Sequence, residues 1–433
     1  MLNPRDTLLD VWRAALAAGD PAPLIRRALA LTPSSLTAGP FTIDRSGLHR
    51  VLVLGCGKAG GAMARATEDI LGDLIADGFV VVKDGYTKPT ARIRLTEARH
   101  PVPDARGEAA ASELVRLAGE AGPDDLVVFL VSGGGSALSP APAAPVTLEE
   151  KQGITRLLLA AGATIGELNA VRKHLSRMKG GQLARAAAPA RVLTLALSDV
   201  IGDPLDVIAS GPTAPDPTTF GEALAVLERR GVMARAPVSV RERLQDGARG
   251  MIVETPKPGD SLFDRVANVV IGNNSLVADA AVAAARRRGL RVEMLTRSLE
   301  GEARDVARDF VARVRASVPG TCLIAAGETT VTVRGGGQGG RCQEFALAAA
   351  IEIAESRDVV ITAAGTDGTD GPTDAAGGIV DGGTIARGAR AGIDARRALA
   401  ENDAGRFLDR TGDLIVTGPT NTNLLDLYMG LRV

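Results

Sequence analysis

Short runs of apolar residues, rich in β-branched side chains, recur along the chain, and each is followed by a polar or glycine-rich turn. The runs occupy residues 51–54, 79–82, 126–131, 192–197, 269–271, 322–326 and 359–364. Runs of this length without polar alternation are typical of strands that are buried on both faces of a sheet. The pattern therefore predicts a series of buried strands that end in flexible turns.

Helical patterns fill the intervals between these runs. Thr147 and Glu150 form a capping-box pair, which predicts a helix that continues to about residue 161. Longer amphipathic patterns cover residues 275–288, 302–317 and 341–356. Strand, turn and helix in alternation predict an α/β fold with mostly parallel sheets covered on both faces.

The chain is long enough for two domains, since its 433 residues exceed the usual domain size of about 100–200 residues. Residues 235–260 contain no strand pattern and carry several prolines and glycines, which indicates a region between domains. We therefore expect one Rossmann-like domain over residues 1–240 and a second over residues 260–433. Ligands bind beyond the carboxyl ends of parallel strands, so the site is expected in an inter-domain cleft.

The composition of the chain argues against nucleic acid as a partner. Fifty basic residues balance 51 acidic ones, and aromatic residues make up only 3%, so the chain lacks the basic surface and the stacking platform of a nucleic-acid-binding protein. The three cysteines show no paired spacing, and the sequence shows neither a secretory signal pattern nor an apolar run of ~18 residues. We expect a cytoplasmic protein without a membrane span that acts on small molecules, and a homo-oligomer is compatible with this composition.

Glycine is in excess, at 51 residues, and the excess is concentrated in turns that follow predicted strands. Residues 55–60 (GCGKAG) match G-x-G-x-x-G between a strand and a helix. Such a turn either binds an anion at the helix N-terminus or permits close packing of the helix against the strand. Lys58 favours the anion, while Asp84, at the end of the next strand, keeps a nicotinamide dinucleotide open as an alternative ligand.

Two further glycine turns predict anion binding. Residues 132–136 (SGGGS) follow a buried strand, and their glycines leave room for a phosphate nest to which two hydroxyl groups can donate. Residues 335–341 (GGGQGGR) end on Arg341 at the start of a predicted helix. A forked cation in that position can clamp a phosphoryl group or a carboxylate.

Acidic residues follow two other predicted strands. Asp199 comes after residues 192–197, and Asp367 lies in the loop over residues 365–374 (GTDGTDGPTD). Carboxylates in such positions suit Mg²⁺ binding or general-base work in phosphoryl transfer. The histidines at positions 49, 100 and 174 show no metal spacing, and we assign no catalytic role to them.

Together and in this order, the motifs resemble the class II glycerate kinases, the glycerate 2-kinase family with a DUF4147 region and a C-terminal MOFRL domain. The segments that carry the resemblance are VLVLGCGKAGGAMA, HPVPD, VSGGGSAL, LSDVIGDPLDVIASGPT, GETTVTV, GGRCQE and AAGTDGTDGPTDAAG. The resemblance implies ATP-dependent phosphorylation of D-glycerate to 2-phospho-D-glycerate with Mg²⁺. It also implies two Rossmann-like domains.

The resemblance further implies roles for individual residues. The catalytic lysine and arginine of the family fall on Lys58 and Arg341, and two aspartates of its motifs fall on Asp199 and Asp367. Binding of ATP is expected at a set of residues from three turns: Gly57, Gly133, Gly134, Gly135, Ser136 and Glu328. The ligands of the metal are not assigned.

Two other functions remain as alternatives. An NAD(P)H-dependent hydroxypyruvate reductase would share the three-carbon acid and the G-x-G-x-x-G turn. It would need a proton donor such as a histidine–carboxylate pair, for which the sequence shows no candidate. A non-catalytic sensor that binds a sugar-acid phosphate would not need so many acidic residues beside the glycine turns.

Overall fold

The computed structural model describes residues 3–433, which form an α/β fold with three sheets. The strands are β1 (Leu29–Leu31), β2 (Ser35–Ala38), β3 (Phe41–Asp44), β4 (Val51–Cys56), β5 (Ile75–Lys83), β6 (Ile93–Ala98), β7 (Leu126–Val131), β8 (Arg191–Leu197), β9 (Val266–Gly272), β10 (Arg291–Leu299), β11 (Thr321–Gly327), β12 (Val359–Gly365), β13 (Gly377–Asp381), β14 (Leu414–Ile415) and β15 (Asp426–Arg432).

Helices connect most of these strands. They are α1 (Pro4–Ala18), α2 (Pro21–Ala28), α3 (Gly60–Leu71), α4 (Ala105–Gly119), α5 (Gly135–Leu138), α6 (Leu148–Ala160), α7 (Ile165–His174), α8 (Gln182–Ala187), α9 (Phe220–Arg229), α10 (Val238–Ala248), α11 (Asn274–Arg287), α12 (Ala303–Ala316), α13 (Arg341–Glu352), α14 (Thr384–Arg390), α15 (Ala395–Ala400) and α16 (Ala404–Thr411). The predicted capping box of α6 is confirmed, since the side chains of Thr147 and Glu150 each accept a backbone N–H of the other residue. No helix in the described part of the chain is long and apolar enough to cross a membrane.

The first six-stranded sheet has the order β6-β5-β4-β7-β8-β9, and the pairings from β6 through β8 are parallel. Strands β4 and β7 lie side by side at its centre and are buried along their whole length. A Cβ atom on Gly55 would lie 2.5 Å from the carbonyl oxygen of Leu130, so the glycine permits this close pairing. Because the strands are parallel and in register to Cys56 and Val131, the turns that follow them lie next to each other.

The second six-stranded sheet has the order β10-β11-β15-β12-β13-β14 and is mixed. Strand β15 lies antiparallel between β11 and β12, which places Asp426 opposite both Gly327 and Gly365. The predicted α/β class is confirmed, but the expectation of a mostly parallel sheet fails here. The reason is that the last strand of the chain inserts at the centre of this sheet, and strand β13 pairs antiparallel with β12.

The described residues pack into two compact units. One comprises Pro21–Ser198 and Gly202–Ile271, and the other comprises the chain up to Asp20 together with Asp199–Ile201 and Gly272–Val433. Helix α1 belongs to the second unit because it packs against α11 and β15. The division into domains 1–240 and 260–433 stays a prediction, and the packing units cut the chain differently.

The stretch over residues 235–260 is not a linker. It contains α10, whose buried Val240 and Leu244 share a core with Phe220 and Leu227 of α9. Strand β9, which was expected to open the second domain, instead joins the first sheet. The prolines and glycines of this stretch therefore mark turns within a folded unit.

Candidate active site

The G-x-G-x-x-G turn between β4 and α3 has no free backbone donors. The N–H groups of residues 57–60 all donate to protein atoms at 2.9–3.0 Å; the acceptors are the carbonyl oxygens of Val81, Gly133 and Gly57 and the hydroxyl of Ser132. A dinucleotide pyrophosphate would require these same N–H groups. The turn therefore cannot bind one without losing its own hydrogen bonds.

The glycines of this turn are explained by packing. A Cβ atom on Gly57, whose φ is 138°, would lie 2.1 Å from the hydroxyl oxygen of Ser132, and one on Gly60 would lie 2.9 Å from a methyl of Val80. The geometry thus favours packing over anion binding for Gly57, whose expected contact with ATP stays a prediction. Asp84, the acid of the dinucleotide alternative, forms a two-pronged ion pair with Arg106 at 2.7 and 3.0 Å.

The SGGGS turn between β7 and α5 retains donors. The N–H groups of Gly133 and Gly134 form no hydrogen bond to any residue from 3 to 433. Gly134 has a φ of 83°, and a Cβ atom there would lie 3.0 Å from the His100 ring and 3.3 Å from Cγ of Lys58. The N–H groups of Gly133 and Gly134, which lie beside a lysine and an imidazole, are donors that an anion such as a phosphate can accept.

His100 is a residue of this site that sequence reasoning missed. It follows β6, a strand of the same parallel sheet, by two residues. Its signal was therefore its place beyond the carboxyl end of a strand, where parallel sheets bind ligands. A metal spacing does not identify a single imidazole that lies beside a loop.

The third glycine turn, which precedes α13, donates its N–H groups to other parts of the chain. The N–H groups of Gly335, Gly337 and Gln338 donate to atoms of residues 401–403. At the start of α13, the carboxylate of Asp370 accepts the N–H groups of Cys342 and Gln343 at 3.2 and 2.7 Å. The predicted anion site at this helix N-terminus is thus filled by an aspartate of the protein.

Arg341 lies in a nest of carboxylates in the unit that contains the mixed sheet. Its Nε and Nη2 atoms donate to the two oxygens of Asp426 at 2.5 and 3.0 Å, and its Nη1 donates to Glu328 at 2.5 Å. Burial disfavours the charged guanidinium, but Asp426 and Glu328 outweigh that effect and raise the pKa of Arg341. Three of the five N–H donors of the arginine are engaged in these bonds, which leaves two for a ligand.

Two predicted aspartates lie near this arginine. A Cβ atom on Gly365 would lie 3.1 Å from a carboxylate oxygen of Asp426 and 3.5 Å from one of Asp367, so the glycine allows two carboxylates to approach each other. Burial raises the pKa of Glu328; Arg341 opposes this, and the charges of Asp426, Asp199 and Asp367 reinforce it. Asp199 also accepts a hydrogen bond from the side-chain amide of Asn423 at 2.9 Å.

Asp426 is the second residue that the sequence analysis missed. It is almost wholly buried, and it also accepts a hydrogen bond from the hydroxyl of Tyr428 at 3.1 Å. Its signal was weak because β15 had not been predicted as a strand. The four residues predicted for this region, Arg341, Glu328, Asp199 and Asp367, are brought together by the fold.

The chain matches two protein families. The family described as a domain of unknown function, DUF4147, matches residues 7–245, and the MOFRL family matches residues 321–426. A D-glycerate 2-kinase of Thermotoga maritima is 43% identical over 90% of this chain and 93% of its own length. A putative hydroxypyruvate reductase of Agrobacterium vitis is 40% identical over 98% of this chain and 94% of its own length.

A solved structure shares the fold. The crystal structure of a glycerate kinase from Thermotoga maritima superposes with a TM-score of 0.84 and 39% sequence identity, and the match covers 99% of each chain.

We predict that Gly57→Ala destabilises the protein strongly. The added methyl would clash with Ser132, and the alanine would have to adopt the positive φ of the glycine. The free energy of unfolding should therefore fall by more than about 2 kcal/mol. Gly162→Ala is the matched control, since Gly162 has a φ of 69° with nothing within 4 Å, and its cost should be about 1 kcal/mol. Urea unfolding of both variants makes the comparison, and equal losses would contradict the packing role of Gly57.

We predict a pH-dependent effect of Asp370→Asn. Burial, reinforced by Asp426, raises the pKa of Asp370 to about 7 against the N–H bonds from Gln343 and Cys342. The unfolded value is about 3.9, so the folded wild type binds more protons between these values and loses stability as the pH rises through that window.

The asparagine cannot ionise, so the free energy of unfolding of the variant does not fall in this way. Its difference from the wild-type value should increase by on the order of 2 kcal/mol from about pH 5 to about pH 8. Urea titrations at the two pH values measure this change. Asp409→Asn, at an exposed position, provides the control. A difference between Asp370→Asn and wild type that does not change with pH would show that Asp370 does not titrate in this range.

Proposed function

Because this chain belongs to the glycerate 2-kinase family, which combines the DUF4147 and MOFRL regions, we propose that it catalyses the ATP-dependent phosphorylation of D-glycerate to 2-phospho-D-glycerate. The observation that carries the proposal is the contrast between two neighbouring glycine turns. All N–H groups of residues 57–60 donate within the protein, whereas those of Gly133 and Gly134, beside Lys58, have no partner among residues 3–433. This arrangement suits terminal phosphates and does not suit a dinucleotide.

In the proposed reaction, the 2-hydroxyl oxygen of glycerate attacks the γ-phosphorus of ATP in line with the bond that breaks. ADP leaves with the bridging oxygen, and the hydroxyl proton passes to a carboxylate, for which Asp199 and Asp367 are the candidates. The transition state spreads negative charge over the phosphoryl oxygens. Fixed cations and N–H donors that need no reorganisation stabilise that charge best.

Lys58 and Arg341 are the cations proposed for this task. Asp426 holds the plane of the Arg341 guanidinium through two hydrogen bonds, which orients the remaining N–H donors without consuming them. Glu328 binds a third N–H and would exchange it for an oxygen of the nucleotide. Gly133, Gly134 and Gly135, with the main chain of Ser136, form the loop proposed to receive the phosphates.

The residues fit a magnesium ion that arrives with ATP. No group of three or more metal-ligating side chains occurs within residues 3–433, but Mg²⁺ usually takes only one or two carboxylates and completes its shell with phosphates and water. Asp199 and Asp367 supply such carboxylates. When bound, the ion would neutralise charge on the phosphates.

A reductase is the less favoured function, although one relative carries that name. The turn that should bind the pyrophosphate has no free donors, and Asp84 is already paired with Arg106. A cytoplasmic location and small-molecule substrates accompany the kinase proposal.

We expect the purified protein to convert D-glycerate, ATP and Mg²⁺ to ADP and a phosphomonoester. ³¹P NMR identifies the products, and the coupling of the phosphorus to the C2 proton assigns the phosphorylated carbon. A parallel incubation with hydroxypyruvate and NADH or NADPH should show no loss of absorbance. Oxidation of the reduced nucleotide without consumption of ATP would reject the kinase and favour the reductase.

We expect Lys58→Ala and Arg341→Ala each to lower kcat by about 10²–10³-fold, the usual cost of removing one group that stabilises developing charge. Lys88→Ala and Arg334→Ala are the controls, because both positions are exposed and neither is assigned to the site. Circular dichroism checks that the variants are folded. Near-normal turnover of Arg341→Ala would overturn the proposed role of this arginine.

A further inference from the structure

A polar cluster adjoins the SGGGS turn, within the same unit. The hydroxyl oxygens of Ser136 and Ser210 lie 3.0 Å apart, and Ser210 donates to the side-chain oxygen of Asn169 at 3.2 Å. Ser210 and its neighbour Ala209 both have positive φ values, 63° and 49°. Two adjacent non-glycine residues in the left-handed region are held there at a cost, which is typical of positions where side-chain placement matters.

Two cations border this cluster without a carboxylate of the protein to balance them. Lys179 is almost wholly buried, and its amino group donates to the main-chain carbonyl of Ser136 at 2.7 Å. Arg172 follows Asn169 by three residues on α7, so the two share a face of the helix. Arg172 forms no hydrogen bond or ion pair with any residue between positions 3 and 433.

The adjacent lysine is a buried cation that is paired with carboxylates. Lys173 lies next to Arg172 in the sequence and contacts the carboxylates of Asp206 and Asp216 at 3.0 and 3.2 Å. Buried charges are normally paired in this way. Lys179 and the buried Lys151 instead donate to main-chain carbonyls, and Arg172 is the exception because it has neither a carboxylate nor a carbonyl partner among residues 3–433.

The electrostatics of the pair agree with an anion as the missing partner. Burial, followed by the charge of Arg172, lowers the pKa of Lys179 to about 7, and burial lowers the pKa of Arg172 as well. Each cation therefore carries a desolvation cost that a bound anion would offset.

We propose that Arg172, Lys179, Ser136 and Ser210 form the subsite that binds the carboxylate of the three-carbon acid. This inference rests on the proposed kinase function and deepens it, since it assigns the residues that distinguish an acid substrate from a simple alcohol. The forked guanidinium of Arg172 matches the planar, singly charged carboxylate. The Ser136 hydroxyl, which donates to Ser210 while Ser210 donates to Asn169, would redirect its hydrogen to the ligand. The free guanidinium supplies one fixed positive charge, which balances a carboxylate but not a triphosphate. Ser136 then faces the acid, and the N–H groups of Gly133 and Gly134 remain for the nucleotide.

Calorimetric titration with D-glycerate tests the subsite directly. Arg172→Gln removes the charge and keeps most of the side-chain volume, and we expect it to weaken binding by about tenfold or more, the cost of a lost charge-assisted hydrogen bond. Arg156→Gln, at an exposed position of the neighbouring helix α6, should leave affinity within about twofold of wild type. Ser210→Ala should weaken binding to a smaller degree than Arg172→Gln.

Steady-state kinetics separate the carboxylate from the nucleotide. In Arg172→Gln, the KM for D-glycerate should rise and the KM for ATP should stay unchanged. Phosphorylation of glycerol, which has the hydroxyl groups but no carboxylate, should proceed with the same kcat/KM in the variant as in wild type. If Arg172→Gln does not fold, Arg172→Lys keeps the charge and loses the fork, and it should still weaken glycerate binding.

The outcomes are distinguishable. Three results would overturn the subsite: unchanged glycerate affinity in both arginine variants, an increase in KM for ATP alone, or equal losses of activity on glycerate and glycerol. If wild type still turns over, the kinase proposal remains intact. Failure of the wild type to bind D-glycerate would overturn the subsite. Arginine-dependent glycerate binding without turnover would support the subsite and reject the kinase.

Discussion

The hydrogen bonds between the turns that follow β4 and β7 are the constraint on which the rest of the first unit depends. Lys58 and Ala59 donate their N–H groups to Gly133 and Ser132, and Gly57 leaves space for the Ser132 side chain. These contacts use all the N–H donors of the first turn and fix the second turn, in which the N–H groups of Gly133 and Gly134 have no partner among residues 3–433. The turn after β4 thus holds the turn after β7 in place, and only the turn after β7 has N–H groups that can donate to a ligand.

The cations of the two units differ in how their charge is balanced. In the second unit, Arg341 is surrounded by acids, and Asp426 and Glu328 already balance its charge. In the first unit, Lys179 and Arg172 have no acid beside them, although Lys173 has two. A self-neutralised arginine is held in a fixed orientation and can respond to a ligand by exchanging one partner. A cation without a partner gains most from a ligand that brings its own negative charge.

The sequence predicted the first sheet well and the second poorly, for a physical reason. Strands β4 and β7 are uninterrupted apolar runs because both faces are covered. Strand β10 alternates charged and apolar residues, and β15 begins with an aspartate, so neither has the pattern of a buried parallel strand. Motifs identified Arg341, Asp199 and Asp367, but they could not show which backbone donors are free, because that depends on residues some 75 positions apart.

The place of β15 in the second sheet has a consequence for how the protein is made. This strand follows every other strand of its sheet along the chain, yet it lies between β11 and β12 and carries the aspartate that orients Arg341. During synthesis, the strands on either side of β15 cannot complete their pairing until it is made, and helix α1, which precedes these strands along the chain, packs against it. The first unit can fold while the ribosome is still working, whereas the second can assemble its arginine site only after nearly all of its residues have emerged.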